Sequence, residues 1–370
     1  RQRVAWPHWL RRPPAELAPF LAGPNTPYVQ NYSFDIQHQI NNKAMFEVGY
    51  SGNVSRKLVY GVGRALNQLP GNLLSLGNKL DESVANPLYG LVATGPMASR
   101  TVPRNRLLRQ YPQFDAVSQS SDTPGASANY NALVTRFTGR VSHSLMLLAS
   151  YEWSKAMDDG VEQFVTDGFS DAFNNHLDRS ISAHDIPHSF VTAFRWELPV
   201  GKGRLLGADA GRLAQALAGG WQMSGAMRVQ SGLPASAVSA TNNHSTYGFG
   251  TKRAVVTDTS AVKLAEKSPD NWFNTSAFTQ PAKFSYGTAT RHMTEIREDL
   301  RRTLDLAVLK NFKLGEGVKA QFRGEIFNST NTPIFGAPNV SSSSQTFGRV
   351  SGVAKGATPR QVQLALKFYF

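Results

Sequence analysis

The sequence predicts an all-β chain that forms part of a transmembrane antiparallel β-barrel, on three observations. Apolar and polar residues alternate with period two in nine segments. The connections between these segments tend to alternate between short and long, and aromatic residues gather near both ends of the segments. A soluble β-sandwich would also alternate, but it gives no reason for aromatic residues at both strand ends. No run approaches about 18 consecutive apolar residues, which excludes a transmembrane helix.

The clearest strand is the last one. Residues 361–370 alternate without a break, which is about the length that a tilted strand needs to cross a bilayer. Eight further segments show the same pattern, near residues 32–40, 44–51, 133–141, 145–154, 190–198, 221–230, 303–312 and 318–327. In the segment 303–312 the apolar positions predicted to share one face are Leu304, Leu306, Val308 and Phe312.

The connections predict which end of each strand faces which side of the membrane. Those after the first, third and seventh strands are short, and a longer one on the same side, 199–219, is predicted to hold a helical turn around Leu213–Leu217. The other connections are long and rich in Gly, Ser, Asn and Pro: 52–129, 155–185, 231–301 and 328–360. Loops of that length are unusual in compact soluble domains. Short turns on one side and long loops on the other are typical of outer-membrane barrels.

Two sets of side chains follow from the alternation. Aromatic belts at the two membrane interfaces are predicted from Trp196, Trp221, Phe312 and Phe370 on the short-turn side and from Tyr50, Tyr151 and Trp153 on the long-loop side. Charges on the opposite, lumen-facing side are predicted to be Arg136, Arg195, Glu197, Arg228, Lys319, Arg323 and Glu325. These charges would either contact a plug and line a substrate route, or pair with one another across strands, and pairing is the favoured interpretation.

The odd number of strands bears on domain organisation. Bacterial outer-membrane barrels have an even strand number, so nine strands predict that further strands precede Arg1. Residues 1–26 are then expected to be the end of an extracellular loop, and residues 27–370 the C-terminal part of the barrel.

Composition limits the chemistry that the chain could perform. The net charge of +13 is spread along the sequence, and no nucleic-acid-binding motif is present, so no nucleic-acid partner is expected. The absence of cysteine excludes disulfides and thiol catalysis. The sequence Asp158-Asp159-Gly160 predicts a turn rather than a cation site, and His184, Asp185 and His188 match no standard zinc spacing. We expect no enzyme activity, no cofactor and no bound metal.

The chain resembles the C-terminal barrel portion of Oar-like TonB-dependent receptors of Gram-negative bacteria. The resemblance extends from about residue 26 to the end, and its main carriers are Tyr130–Leu133, Ala149–Gly160, Glu197–Gly203, Gln230–Pro234, Phe322–Asn328 and Leu364–Phe370. It implies a 22-stranded barrel filled by an N-terminal plug, and import driven by the inner-membrane TonB complex. Neither the plug nor the TonB-box segment is in this sequence. The terminal Leu364, Leu366, Phe368 and Phe370 resemble the signal that the barrel-assembly machinery recognises.

The sequence is compatible with three functions. The first is energised uptake of a large or scarce nutrient across the outer membrane, with outer-membrane lipid around the barrel and an unknown extracellular ligand. The second is surface binding or adhesion through the long loops, and the third is passive diffusion. Because barrels place recognition in their external loops, 231–301 is the expected ligand-reading surface.

Overall fold

The chain folds around one antiparallel sheet of nine long strands that follow one another in chain order. The computed structural model describes residues 16–17, 26–60, 64–119, 124–160, 169–209, 211–241, 247, 251–315 and 317–370. The strands are β1 (Tyr28–Asn41), β2 (Ala44–Val59), β3 (Pro124–Arg140), β4 (Leu145–Asp158), β5 (His188–Glu197), β6 (Trp221–Gln230), β7 (Arg301–Lys313), β8 (Lys319–Phe327) and β9 (Gln361–Tyr369). The nine predicted strands and their antiparallel order are therefore confirmed.

The register of the sheet puts alternate residues on two faces, as the period-two pattern requires. Tyr50 lies opposite Leu133, Leu133 opposite Trp153, and Trp153 opposite His188, so one row of side chains runs across four strands. We call this the outer face, and the opposite side, which carries the predicted lumen charges, the inner face. The outer face is mostly apolar, and some of its side chains are exposed; Trp153, for example, is 57% exposed.

Several strands run further than the sequence pattern predicts, most of all β2 and β3. The connection between β2 and β3 was expected to cover 52–129, but β2 continues to Val59 and β3 begins at Pro124. Backbone pairing continues there without a regular apolar alternation, for example between Asn53 and Tyr130 and between Ser55 and Ala128. Because no apolar alternation is needed outside a bilayer, the pattern stops before the hydrogen-bonded ladder does.

The connections contain short elements of their own. The short strands are Glu16–Leu17, Arg64–Ala65, Ser83–Ala85, Thr101–Pro103, Ala116–Gln119, Ser180–Ile181, Pro234–Ser236, Val255–Val256, Phe278–Thr279 and His292–Arg297. In the described ranges the connections also hold two α-helices, α1 (Arg104–Leu107) and α2 (Arg212–Ala218). The 3₁₀ segments are Gly71–Asp81, Pro96–Ala98, Asn175–Asp178, Ser260–Val262 and Thr275–Ala277. The predicted helical turn around Leu213–Leu217 is thus confirmed as α2. Among the described residues, no helix has the length and hydropathy to cross a membrane.

The buried core lies in the long connections and not between sheet faces. The described residues of the four connections, 60–123, 159–187, 231–300 and 328–360, pack together, and we call them the loop layer. The largest apolar cluster is centred on Phe273, which is 1% exposed and makes edge contacts with the rings of Phe278 and Phe347, at centroid distances of 5.8 and 5.4 Å. A second cluster is built on Leu69, Leu74 and Leu80.

Hydrogen bonds link all four connections of the loop layer. The Gln68 amide donates to the Tyr286 hydroxyl at 3.1 Å and accepts from the backbone N–H of Ala172 at 3.0 Å. The backbone N–H of Trp272 donates to the carbonyl of Gly348 at 2.9 Å. Connections that the sequence presents as polar loops therefore form a folded structure at one end of the sheet.

Candidate functional site

The inner face of the sheet holds the predicted charges, and several of them are paired. Glu47 and Arg136 lie directly opposite each other on β2 and β3, with Oε1 and Nη1 2.6 Å apart. The second carboxylate oxygen of Glu47 accepts from the Gln37 amide at 3.0 Å. On β8, Arg323 and Glu325 form an ion pair of 2.5 Å. Such half-exposed pairs contribute little stability, about 0–1 kcal/mol.

The remaining predicted charges differ in their surroundings. Glu197, at the end of β5, pairs with Arg204 at 2.9 Å. In the part of the chain that the structure describes, Arg195, Arg228 and Lys319 form no ion pair. These three side chains carry positive charge that is available to another group.

A cavity of about 420 Å³ lies between the inner face and the connection 328–360. Its walls include Arg228, Gln230, Arg301, Asp305, Lys355 and Gln361. The Asp305 carboxylate accepts from the backbone N–H of Asn328 at 2.8 Å, and Arg301 pairs with Glu298 at 2.9 Å. Two cations of this wall, Arg228 and Lys355, have no such carboxylate partner among the described residues. The cavity therefore suits a negatively charged or hydrogen-bond-accepting group.

The sequence indicated only part of this cavity. Arg228 follows from the alternation of β6, whereas Arg301 is not among the predicted lumen-facing charges. Lys355 comes from a long connection, where it follows the buried Ala354 and precedes Gly356, whose φ of +83° reverses the chain. No periodic signal marks that position.

Three buried ion pairs fasten the connection 231–300 onto the connection 159–187 and the end of β4. Arg253 pairs with Asp178 at 2.5 Å, and both side chains are 2% exposed. Arg291 pairs with Asp158, and Arg297 pairs with Asp185 at 2.6 Å. The partners are 75, 133 and 112 positions apart in the sequence, so no local motif could have indicated them.

One carboxyl group of these pairs, that of Asp178, has a shifted pKa. Burial raises the pKa of Asp178 above its ordinary value, and the Arg253 guanidinium opposes that shift. Asp178 also accepts from the backbone N–H of Ser170 at 3.1 Å. This is a structural role, because both carboxylate oxygens of Asp178 accept from the backbone N–H of Ser170 and Oδ1 also faces the Arg253 guanidinium.

The residues considered for cation binding each contact a different partner and do not converge on one point. Asp158 accepts from the backbone N–H of Gly160 at 3.0 Å, which closes the predicted turn. Asp185 is held by Arg297, and the His188 ring lies 2.8 Å from the Tyr151 hydroxyl. Across the described ranges, no group of three or more His, Asp or Glu side chains is placed to hold a metal ion.

The residues predicted to form aromatic belts lie near the two ends of the strands, on the outer face. Trp196 pairs with Leu145 next to the short turn, whereas Tyr151 and Trp153 pair with residues at the other end of β5. Tyr50 lies in the row of Trp153, and Trp221 and Phe312 lie at the short-turn ends of β6 and β7. His188 and Trp196 are eight residues apart on β5, which is about 27 Å along the strand. At a strand tilt of about 40° this becomes about 20 Å, close to the apolar band of about 25 Å in such barrels.

The terminal strand presents its apolar side chains on the same outer face. Leu364, Leu366, Phe368 and Phe370 are 70%, 57%, 51% and 97% exposed. β9 pairs only with β8 in the described part of the chain, so its other edge is open. Residues 1–26 lie outside the described residues apart from Glu16–Leu17 and position 26, and the expected domain boundary stays a prediction.

Comparisons with solved structures find outer-membrane receptors and transporters. The ferric preacinetobactin receptor BauA of Acinetobacter baumannii is 10% identical, with 92% of this chain and 29% of that chain covered and a TM-score of 0.40. The outer membrane transporter YddB of Escherichia coli is 10% identical, with coverages of 93% and 33% and a TM-score of 0.41. The ferripyoverdine receptor of Pseudomonas aeruginosa is 9% identical, with coverages of 93% and 27% and a TM-score of 0.37.

The chain spans about a third or less of the length of these structures. No curated protein matches it. The family described as the outer membrane beta barrel domain matches residues 12–363, which is nearly the whole chain. The chain therefore belongs to the outer membrane β-barrel domain family and is a part of a transmembrane antiparallel barrel in the outer membrane of a Gram-negative bacterium.

Proposed function

We propose that this chain is the C-terminal part of the barrel of a TonB-dependent receptor that takes up a large or scarce nutrient. The observation that carries the proposal is the loop layer, in which four long connections fold into one packed structure over an inner face with unpaired cations. A passive channel needs an open entrance, whereas a receptor needs a shaped surface that recognises its ligand before transport. The sequence resemblance to Oar-like receptors supports the same interpretation.

The cavity beneath the connection 328–360 supports a more specific role. Arg228 and Lys355 would attract an anionic or acceptor-rich part of the ligand, or of a plug, that enters between the loop layer and the inner face. The open edges of β1 and β9 would pair with further strands, which would close the barrel. Coupling to the TonB complex would come from a region outside this sequence, and the terminal strand would be read by the barrel-assembly machinery.

The test is uptake by the intact protein in its source bacterium. Strains that lack the gene, or that lack TonB, are grown in complex medium, and the depletion of each medium component is measured by mass spectrometry. The proposal expects every compound that the strain without the gene leaves in the medium to remain also in the medium of the strain without TonB. If uptake depends on the gene and continues without TonB, the protein is a passive channel. If uptake is unchanged and only surface attachment is lost, it is an adhesion protein.

A variant pair tests the role of the cavity. Arg228→Gln with Lys355→Gln removes two cations of the cavity, and the control Arg195→Gln removes an inner-face cation that does not line it. We expect the double variant to slow uptake of the compounds identified above and the control to leave uptake near the wild-type rate. Equal rates for the two variants would contradict a role of this cavity in ligand binding.

A further inference from the structure

The connection between β5 and β6 exposes leucines on the side of the sheet where the other connections are short. Within it, Leu213 and Leu217 lie one helical turn apart on α2, and they are 82% and 72% exposed. Leu205 and Leu206, before the helix, are 85% and 57% exposed. Four exposed leucines in so short a segment form an apolar surface that water does not favour.

Hydrogen bonds within this segment hold its backbone in place. The backbone N–H of Gly201 donates to the carbonyl of Leu206 at 2.8 Å, and that of Leu206 donates to the carbonyl of Pro199 at 2.9 Å. The Gln215 amide of α2 donates to the carbonyl of Gly207 at 2.5 Å. The exposed leucines are therefore presented by a defined backbone.

The C-terminal end of α2 is attached to the outer face of the sheet. The carbonyl of Leu217 accepts from the indole N–H of Trp221 at 2.9 Å and from the ammonium of Lys310 at 2.7 Å. The same ammonium donates to the carbonyl of Gly219 at 2.8 Å. Trp221 and Lys310 lie directly opposite each other on β6 and β7. The helix is thus held beside the apolar face and not beneath the inner one.

Lys310 is the position at which the outer face of β7 departs from its apolar pattern. Val308 and Phe312 are its neighbours on that face, and the predicted apolar set of β7 passes over position 310. A lysine that faces lipid is unfavourable unless its charge reaches water or finds acceptors. Lys310 is 3% exposed, its ammonium reaches the last carbonyls of α2, and the Phe312 ring centre lies 5.2 Å away. A cation at a helix C-terminus is also favoured by the helix dipole.

We infer that the connection 198–220 is a membrane-surface anchor, with α2 lying in the periplasmic leaflet of the outer membrane. Leu213 and Leu217 would sit among phospholipid acyl chains, and Lys310 would hold the helix against the strands. The occupant is phospholipid because the exposed leucines continue the outer face at the level of Trp196, Trp221 and Phe312. Short connections of such barrels face the periplasm, which gives the leaflet. This inference does not depend on transport.

Site-directed spin labelling tests the anchor, since the chain contains no cysteine. Leu213→Cys and Leu217→Cys are labelled in the intact protein, with any cysteines elsewhere replaced by serine, and reconstituted in vesicles of phosphatidylethanolamine and phosphatidylglycerol. Collision rates with oxygen, which concentrates in lipid, and with a nickel chelate, which stays in water, are measured for each label. Leu147→Cys on the outer face of β4 is the lipid control, and His143→Cys in the short turn before β4 is the water control.

We expect labels at 213 and 217 to collide more with oxygen than with nickel, as at 147, and the label at 143 to show the reverse. A nickel-accessible result at 213 and 217 would overturn the anchor. Low collision rates with both reagents would also overturn it, because they indicate burial against protein.

In a second experiment, Lys310→Met is expected to increase the mobility of the label at 217, whereas Lys313→Met on the inner face is not. Equal spectra for these two variants would show that Lys310 does not position α2.

Discussion

Removing one buried cation of the loop layer gives the sharpest test of how that layer is held. Arg253→Met keeps the length of the side chain and takes away the charge that faces Asp178 at 2.5 Å. The variant also loses the hydrogen bond from Arg253 to the carbonyl of Leu177 at 3.0 Å. It leaves a carboxylate in a site where both side chains are 2% exposed.

The size of the effect follows from that burial. Breaking a buried ion pair by removing one partner costs about 3–5 kcal/mol, mostly because the other charge stays buried. Since about 1.4 kcal/mol is a factor of ten, the open form of this part of the loop layer should become about 10²- to 4 × 10³-fold more populated. The double variant Arg253→Met with Asp178→Leu should recover most of the loss, because no buried charge remains.

The loss should also depend on pH in a definite direction. Burial raises the pKa of Asp178 and Arg253 opposes this, so removing Arg253 raises that pKa further. A neutral carboxyl carries no buried charge. The deficit of the variant is therefore smallest at acid pH and grows as the pH rises through the pKa of Asp178 in the folded protein.

Hydrogen exchange read by mass spectrometry on the intact protein separates the loop layer from the sheet. Peptides around Asp178 and Arg253 should exchange faster in the variant, while peptides of β7 and β8 keep their rates. Lys283→Met is the matched control, because Lys283 pairs with Asp81 at 3.0 Å on an exposed part of the same layer. If Arg253→Met exchanges no faster than this control, the buried pair does not hold the layer.

Three further results are expected. Phe273→Ala removes the ring at the centre of the largest apolar cluster and should destabilise the loop layer by about 3–5 kcal/mol in thermal unfolding; an unchanged transition would contradict that central place. Burial raises the pKa of both Tyr60 and Tyr286, so ultraviolet titration should show them ionising after the exposed tyrosines. Their contribution to stability is present below the unfolded-state pKa of about 10 and is lost as the pH rises through their folded pKa; titration of all tyrosines together would refute this. Arg136→Met breaks the half-exposed pair with Glu47 and should change stability by no more than about 1 kcal/mol; a larger loss would show that the pair is a structural centre.

The part of the fold that the sequence predicted is the part that a bilayer shapes. Lipid on one side and water on the other impose the period of two, so the strands and their faces could be read directly. The strand ends beyond the membrane could not be predicted in this way, because β2 and β3 continue there without a regular apolar alternation. The apolar residues of the loop layer, such as Trp272 and Phe273, follow no period, because irregular connections pack them.

The candidate site likewise has a part that could be predicted from the sequence and a part that could not. Arg228 was predicted, because it stands on a regular strand whose faces alternate. Lys355 was not, because its place in the cavity depends on how the connection 328–360 folds back over the sheet. Lys310 left a signal that could have been used, since a single cation within an apolar row of a membrane strand needs a partner.

The three buried Arg–Asp pairs also have a consequence for the order in which the protein assembles. Each pair joins residues at least 75 positions apart, and the chain between them includes complete strands of the sheet. Contacts at such separations require the closure of long loops. Pairing of β4 to β7 brings the ends of the connections 159–187 and 231–300 to one end of the sheet and so shortens the loops that these contacts must close. We therefore expect the three ion pairs to form after these strands have paired, and their arginines and aspartates to be hydrated until then.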